Sequence, residues 1–186
     1  MKKFLIQSVK YLLIIALLWA VYFLFYANFH QVDKDLYRSG QLRSFNMGYF
    51  VKKHKIKSIL NLRGGYAKGK IPDSWYLDEI AFAKEHNISH IDYGIGDRML
   101  ITLEQMEEIV ALMKKAPKPL LIHCKAGADR TSLVSALYLD AIKKDKKADR
   151  AISIVYGHFP WLGSKTYFMD RSFENYKIVH PLKGNS

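Results

Sequence analysis

The sequence predicts one α/β domain, built on a central and largely parallel sheet flanked by helices and preceded by a single transmembrane helix. Three observations carry this reading. Strand-like and helix-like segments alternate from about residue 36 to residue 177. Residues 11–27 (YLLIIALLWAVYFLFYA) hold no charge. A cysteine-bearing turn stands between a short apolar strand and an apolar-patterned helix, which is where α/β sheets gather their ligands.

The elements follow in chain order. The apolar run extends back to Phe4 with only Gln7, Ser8 and Lys10 intervening. At about 1.5 Å per residue it spans roughly 25–36 Å, enough to cross a bilayer. Lys2, Lys3 and Lys10 precede it, so the expected N-terminus is cytoplasmic and the rest exported: a single-pass protein of the inner membrane with a periplasmic or otherwise extracytoplasmic domain. Cleavage as a signal peptide and burial as a core helix are the rival readings. Phe25 and Leu18 spoil the small-x-small sites ending at Ala27 and Ala20, and a core helix is rarely so uniformly apolar. The boundaries are therefore an anchor over 1–27 and a domain over 28–186.

Leu36–Ser39 reads as a strand, Gly48–His54 as a helix, Lys57–Leu62 as a strand and Gly64–Pro72, with three glycines and a proline, as a loop. Asp73 or Ser74 caps a helix to about Glu85. Ile88–Ile95 alternates as a strand does, with Ile91, Tyr93 and Ile95 on one face. Thr102 and Gln105 form a capping box before a helix over 103–115. Pro119–His123 is a short buried strand, and Thr131–Lys144, Ala148–Tyr156 and Asp170–Lys177 read as helices.

Composition sets bounds on function. The chain has 186 residues and a net charge of +12; the three lysines before the apolar run leave +9 on residues 28–186. An anionic partner is favoured: phosphate ester, acidic lipid or nucleic acid. The basic run Lys143–Lys147 lacks interleaved aromatics and suits a helix end, which argues against nucleic acid. One cysteine excludes a disulfide framework and a multi-cysteine metal site.

That cysteine lies in His123-Cys124-Lys125-Ala126-Gly127-Ala128-Asp129-Arg130-Thr131. Amides of such a turn and the following helix N-terminus form a cradle for a tetrahedral anion, from Lys125 through Arg130. The same field favours a thiolate at Cys124. Arg130 can grip two anion oxygens, Gly127 frees the backbone to turn, and Thr131 brings a hydroxyl near the sulfur. His123 is expected to hydrogen-bond the loop backbone rather than act as a base.

These residues resemble the HCxxGxxR[ST] signature of cysteine-dependent protein tyrosine and dual-specificity phosphatases. Asn28-Phe29-His30, Leu36-Tyr37-Arg38-Ser39-Gly40-Gln41 and Ile59-Leu60-Asn61-Leu62-Arg63 resemble the opening of bacterial exported phosphatases of the TpbA-like group. The likeness covers most of residues 28–145. Ser132 stands where the wider family most often has Gly, and Tyr156–Gly163 lies beyond the resemblance. The resemblance implies a dual-specificity phosphatase-like fold, attack by Cys124, a cysteinyl phosphate, an aspartic acid that protonates the leaving oxygen, and no metal or other cofactor.

Asp97, Asp92 and Asp129 are the candidates for that acid. Asp97 is favoured because it follows Gly94-Ile95-Gly96 beyond a strand end; Asp92 reads as mid-strand, and Asp129 reads as holding Arg130 or loop amides. The substrate classes implied are phosphotyrosine and other protein phosphomonoesters or, in view of Lys125 and the anchor, a phosphorylated lipid or glycolipid headgroup. Arg63, Lys68 and Lys70 add positive potential nearby. An inactive phosphate-binding module is the non-enzymatic reading, disfavoured by intact Cys124 and Arg130. Phe159, Trp161, Tyr167 and Phe168 read as core or rim packing rather than a substrate cage. The oligomeric state stays open.

Overall fold

The computed structural model describes residues 2–65, 71–161 and 164–182. Lys68 and Lys70, most of the Gly-rich loop, and Leu162 and Gly163 lie outside the described residues. In chain order come α1 (Lys2–Tyr26), β1 (His30–Asp33), β2 (Leu36–Ser39), α2 (Ser44–His54), β3 (Ser58–Asn61), α3 (Ser74–Glu85), β4 (Ser89–Asp92), α4 (Leu103–Lys115), β5 (Leu120–His123), α5 (Asp129–Leu137) and α6 (Phe168–Val179).

The five strands form one sheet in the order β1-β2-β5-β3-β4. Only β1 runs antiparallel, as a hairpin partner of β2; the other pairs are parallel. β1 was not expected, because His30-Gln31-Val32-Asp33 is polar and half-exposed, as suits a sheet edge. Sheet periodicity divides the core. Leu36, Leu60, Leu120 and Ile122 face α4, α5 and α6 and pack with Met106, Leu133 and Phe173. Tyr37, Ile59 and Leu121 face α2 and α3 and pack with Met47, Phe50 and Ala83.

The expected capping box on α4 forms: Thr102 Oγ1 accepts from the Gln105 amide at 3.2 Å, and Gln105 Oε1 accepts from the Thr102 amide at 3.1 Å. The helix expected over Thr131–Lys144 ends as a π turn at Tyr138–Ile142. The helix expected over Ala148–Tyr156 is instead two 3₁₀ turns, Ala148–Ala151 and Ile154–Tyr156. That segment buries Ala148 and Ala151 but leaves Ile154 and Val155 exposed, so it lacks the apolar stripe that supports a longer helix.

α1 leaves Phe4–Tyr22 unburied and is long and apolar enough to be a membrane span or a signal sequence. Its last turn packs on the domain. Asn46 of α2 donates to the Phe25 carbonyl at 2.9 Å, satisfying one of the orphan carbonyls at the helix end, and Phe25 and Tyr26 contact the rings of Phe45 and Phe50.

Thr102→Ala removes a cap side chain and is expected to lower stability by about 1 kcal/mol. The thermal midpoint of the full chain in detergent is then expected to fall by about 2–4 °C.

Candidate active site

β5 delivers the loop to the C-terminal edge of the sheet. Its neighbours there are set by register: His123 lies opposite Ser39 of β2 and Asn61 of β3, and Asn61 lies opposite Asp92 of β4. Cys124 follows as a buried residue, and α5 begins at Asp129.

The loop is held through its carbonyls. The Gln41 amide donates to Lys125 O at 3.1 Å. Asn28 Nδ2 donates to Ala126 O and Gly127 O at 3.2 and 3.1 Å. Arg38 Nη2 donates to Gly127 O at 2.8 Å and Ala128 O at 3.3 Å. A trans peptide points its N–H opposite its C=O. With these carbonyls engaged behind the loop, the amides of Ala126, Gly127, Ala128 and Asp129 turn into its mouth, where an anion needs them.

Gly127 is required for two reasons. Its φ is +70°, and a Cβ there would lie 2.4 Å from the Gly40 nitrogen.

Arg38 is fully buried. It also donates to Ala151 O at 2.9 Å and to Ser132 Oγ at 2.8 Å, and its guanidinium lies 3.9 Å from the Tyr156 ring centroid. Ser132 is thus an acceptor beneath the loop, which a glycine would not supply. Burial lowers the Arg38 pKa to about 10, which leaves it cationic at neutral pH.

On the other face of the sheet, Glu79 of α3 is buried and accepts from three side chains. His123 Nε2 and His90 Nε2 lie 3.0 and 2.9 Å from Oε1, and Gln41 Nε2 lies 2.7 Å from Oε2. His123 therefore bonds a carboxylate, not the loop backbone as expected. The alternation of β5 points it toward α3 while the loop turns away beyond Cys124. Burial would raise Glu79, but the two imidazoles outweigh it and hold the carboxyl well below its usual range. Burial likewise opposes the charged form of His90, yet Glu79 raises it. Among the described residues, Thr131 Oγ1 and His123 Nδ1 are buried without hydrogen-bond partners, on the two residues that bracket the loop.

Arg130 is half-buried, and its Nη1 donates to Leu62 O at 3.2 Å and Ile95 O at 3.3 Å. It thereby ties the cysteine loop to the segment that carries Asp97 two residues further on. Asp97 is exposed and makes no side-chain hydrogen bond or ion pair among the described residues, so its carboxyl is available.

Asp92 is not mid-strand, as expected, but at the end of β4. It accepts from Asn61 Nδ2 at 2.9 Å and Tyr76 Oη at 2.5 Å, which occupies both of its oxygens. The expectation that Asp129 holds Arg130 or loop amides is not met among the described residues. Its Oδ1 bonds His158 Nδ1 at 2.7 Å, and the buried His158 reaches Asp170 of α6 through Nε2 at 2.8 Å. Burial opposes the imidazolium there, but the two carboxylates outweigh it and raise His158.

Lys125 is exposed at the mouth. Phe168 packs against the core, whereas Trp161 is exposed and meets Phe159 edge-on. Asn28, Arg38, Gln41, Glu79, His158 and Asp170 were not among the expected site residues. A signal existed for Glu79, a carboxylate within the buried stripe Tyr76–Glu79–Ala83 of α3.

Known proteins align with this geometry. The tyrosine phosphatase family matches residues 23–142. The tyrosine-protein phosphatase Lar of Drosophila melanogaster is 27% identical over 89 residues, 48% of this chain; the chain spans only 4% of that relative's length. Among solved structures, TpbA of P. aeruginosa superposes with a TM-score of 0.60 at 16% identity, covering 82% of this chain and 90% of that one. PTPMT1 in complex with PI(5)P superposes at 0.56 and 15%, covering 82% and 98%. The core catalytic domain of the PP-IP phosphatase SIW14 of S. cerevisiae superposes at 0.57 and 22%, covering 84% and 96%.

Two outcomes are expected. Gly127→Ala collapses the loop and is expected to abolish binding of inorganic phosphate, measured by calorimetry on the full chain. The raised His90 and His158 contribute stability that is complete below their ordinary value of 6.5 and is lost as pH rises through their raised values. The thermal midpoint is therefore expected to fall as pH is raised above that value, and His158→Gln is expected to flatten this limb.

Proposed function

This chain belongs to the tyrosine phosphatase family, and we propose that it is a membrane-anchored phosphatase that hydrolyses phosphomonoesters through a cysteinyl phosphate. The observation that carries this reading is the backward fastening of the loop carbonyls by Asn28, Arg38 and Gln41, which makes a preorganised anion cradle around the nucleophile.

In the first step the Cys124 thiolate attacks phosphorus, and the S–P bond forms as the P–O bond to the leaving group breaks. Asp97 gives its proton to the departing oxygen. Arg130 leaves its two carbonyl partners and takes two phosphoryl oxygens as charge builds. In the second step the Asp97 carboxylate takes a proton from water, which attacks phosphorus and releases inorganic phosphate and the thiolate. The Thr131 hydroxyl, which has no hydrogen-bond partner among the described residues, donates to the departing sulfur in this proposal. His123, fixed to Glu79, orients the strand end and takes no part in proton transfer.

Phosphotyrosine and other protein phosphomonoesters are the leading substrate class, in keeping with the family and with TpbA, which has been crystallised with pTyr. A phosphorylated lipid headgroup is the second reading. The exposed Lys125 and the apolar α1 favour it, and the fold it shares with PTPMT1 holds PI(5)P in that protein. In this proposal α1 remains uncleaved, and the domain of residues 28–186 works on the extracytoplasmic side of the inner membrane.

Cys124→Ser is expected to abolish phosphate release from every substrate. Asp97→Asn is expected to slow turnover of an alkyl phosphate about 10²–10⁴-fold and of p-nitrophenyl phosphate much less, because a good leaving group needs no proton. Full alkyl turnover by this variant would reject the assignment, and Asp129→Asn is the comparison.

A further inference from the structure

A groove of about 620 Å³ opens beside the cysteine loop, between the segment after β2 and the start of α3. Lys125 and Ala126 form its inner end. Arg43 and Arg63 line its sides, and Asp78 is the one acid among the described lining residues, whose net charge is positive. Trp75 and Phe45 supply apolar surface.

Arg63 is set rather than loose. Its guanidinium lies 3.4 Å from the Trp75 ring centroid, and Nη1 donates to Gln41 Oε1 at 2.9 Å. Gln41 also bonds Glu79 and, through its amide, the loop carbonyl of Lys125. Arg63 is therefore held by the same residue that fastens the cradle. Burial and the nearby charge of Arg130 lower the Arg63 pKa, and Asp73, Glu79 and the sulfur of Cys124 oppose that shift. None of Arg43, Arg63 and Lys125 forms an ion pair among the described residues. Three cations on one concave surface outnumber the one acid among its described lining residues, which favours an anion there.

The outer end of the groove indicates where that anion comes from. Ala27, the first residue after α1, is part of the wall. Phe45 at the rim contacts Phe25 in the last turn of α1 at a centroid distance of 5.8 Å. The groove thus joins the loop residues Lys125 and Ala126, which follow the nucleophile, to the point where the apolar helix ends, and its lining mixes cationic and apolar side chains.

We propose that this groove is a subsite for a second anionic group on the substrate, held by Arg43, Arg63 and Lys125, and that the substrate is an anionic membrane lipid carrying a phosphomonoester on its headgroup. This rests on the phosphatase reading above and deepens its second substrate class. The phosphomonoester enters the cradle, the second anion sits between the two arginines, and the acyl chains stay in the layer that α1 spans. No bond is made or broken in the subsite; Arg43 and Arg63 act on binding and choice of substrate.

The test uses the full chain in mixed micelles. Phosphate release is compared for phosphatidylinositol monophosphate (monoester plus phosphodiester on one headgroup), phosphatidic acid, and neutral and acidic phosphotyrosine peptides. Wild type is expected to favour the two-anion lipid. Arg63→Gln and the exposed Arg43→Gln are each expected to lower its kcat/KM, relative to that of phosphatidic acid, about ten-fold and mainly through KM, as the loss of one charge-assisted contact does. Arg63→Lys is expected to recover part of the loss. An unchanged ratio in both glutamine variants overturns the subsite. A wild-type preference for the acidic peptide over both lipids overturns the lipid as its occupant. Release from a peptide with none from either lipid overturns the proposal but leaves the phosphatase reading intact. No release from any substrate, with Cys124→Ser indistinguishable from wild type, removes the phosphatase reading and the subsite with it.

Discussion

The site depends on one constraint: a loop that is to bind an anion with its amides must hide its carbonyls. A tight turn of Lys125, Ala126, Gly127 and Ala128 brings four carbonyl oxygens into a small space, and each repels a phosphate. The fold answers with donors from outside the loop. Gln41 supplies a backbone amide, Asn28 a carboxamide and Arg38 a guanidinium. Arg38 matters most, because it is fully buried and forks between Gly127, Ala128, Ser132 and Ala151. A buried guanidinium is costly without such partners, and its partners are costly without it. Loop shape and buried charge stabilise one another.

Sheet register sorts the supporting groups onto two faces. Along β5, Leu120 and Ile122 face α5 while Leu121 and His123 face α2 and α3. Arg38 of β2 therefore works from the α5 side, beneath the loop, and His123 works from the α3 side, on Glu79. The Glu79 cluster links β4, β5, α3 and the Gln41 segment around one carboxylate. Both Glu79 oxygens are satisfied, and in a low-dielectric interior such bonds are strong, while His123 Nδ1 has no partner among the described residues. The cluster fixes the edge of the sheet from which Cys124 and the Asp97 segment depart. Arg130 ties the start of α5 to the Asp97 segment, and Gly64, after β3, packs against Gly94 of that segment where side chains would collide.

The N-terminal helix is joined to this machinery without a spacer. Tyr26 contacts Phe50, Ala27 O accepts from the Gly40 amide at 2.6 Å, and Asn28 reaches the loop. Displacement of the last turn of α1 is therefore felt at two loop carbonyls. The same continuity brings the cationic groove close to the helix end.

Much of this was legible in the sequence, for reasons of locality. The apolar run, the strand and helix periods, the capping box at Thr102 and the nine residues His123–Thr131 each carry their meaning within a short window. Short-range sterics and the period of side-chain direction are enough to read them. What the tertiary structure alone decided was partnership. Arg38 and Gly127 are far apart in the chain, as are Asn28 and Ala126, Glu79 and His123, and His158 and Asp129. No local period relates them, so their hydrogen bonds exist only once parallel strands and their crossovers have brought distant segments to one edge. His123, Asp92 and Asp129 show the limit most clearly. The sequence alone suggests a loop-backbone bond for His123, a mid-strand place for Asp92 and a hold on Arg130 or loop amides for Asp129, whereas tertiary packing gave them Glu79, Asn61 with Tyr76, and His158.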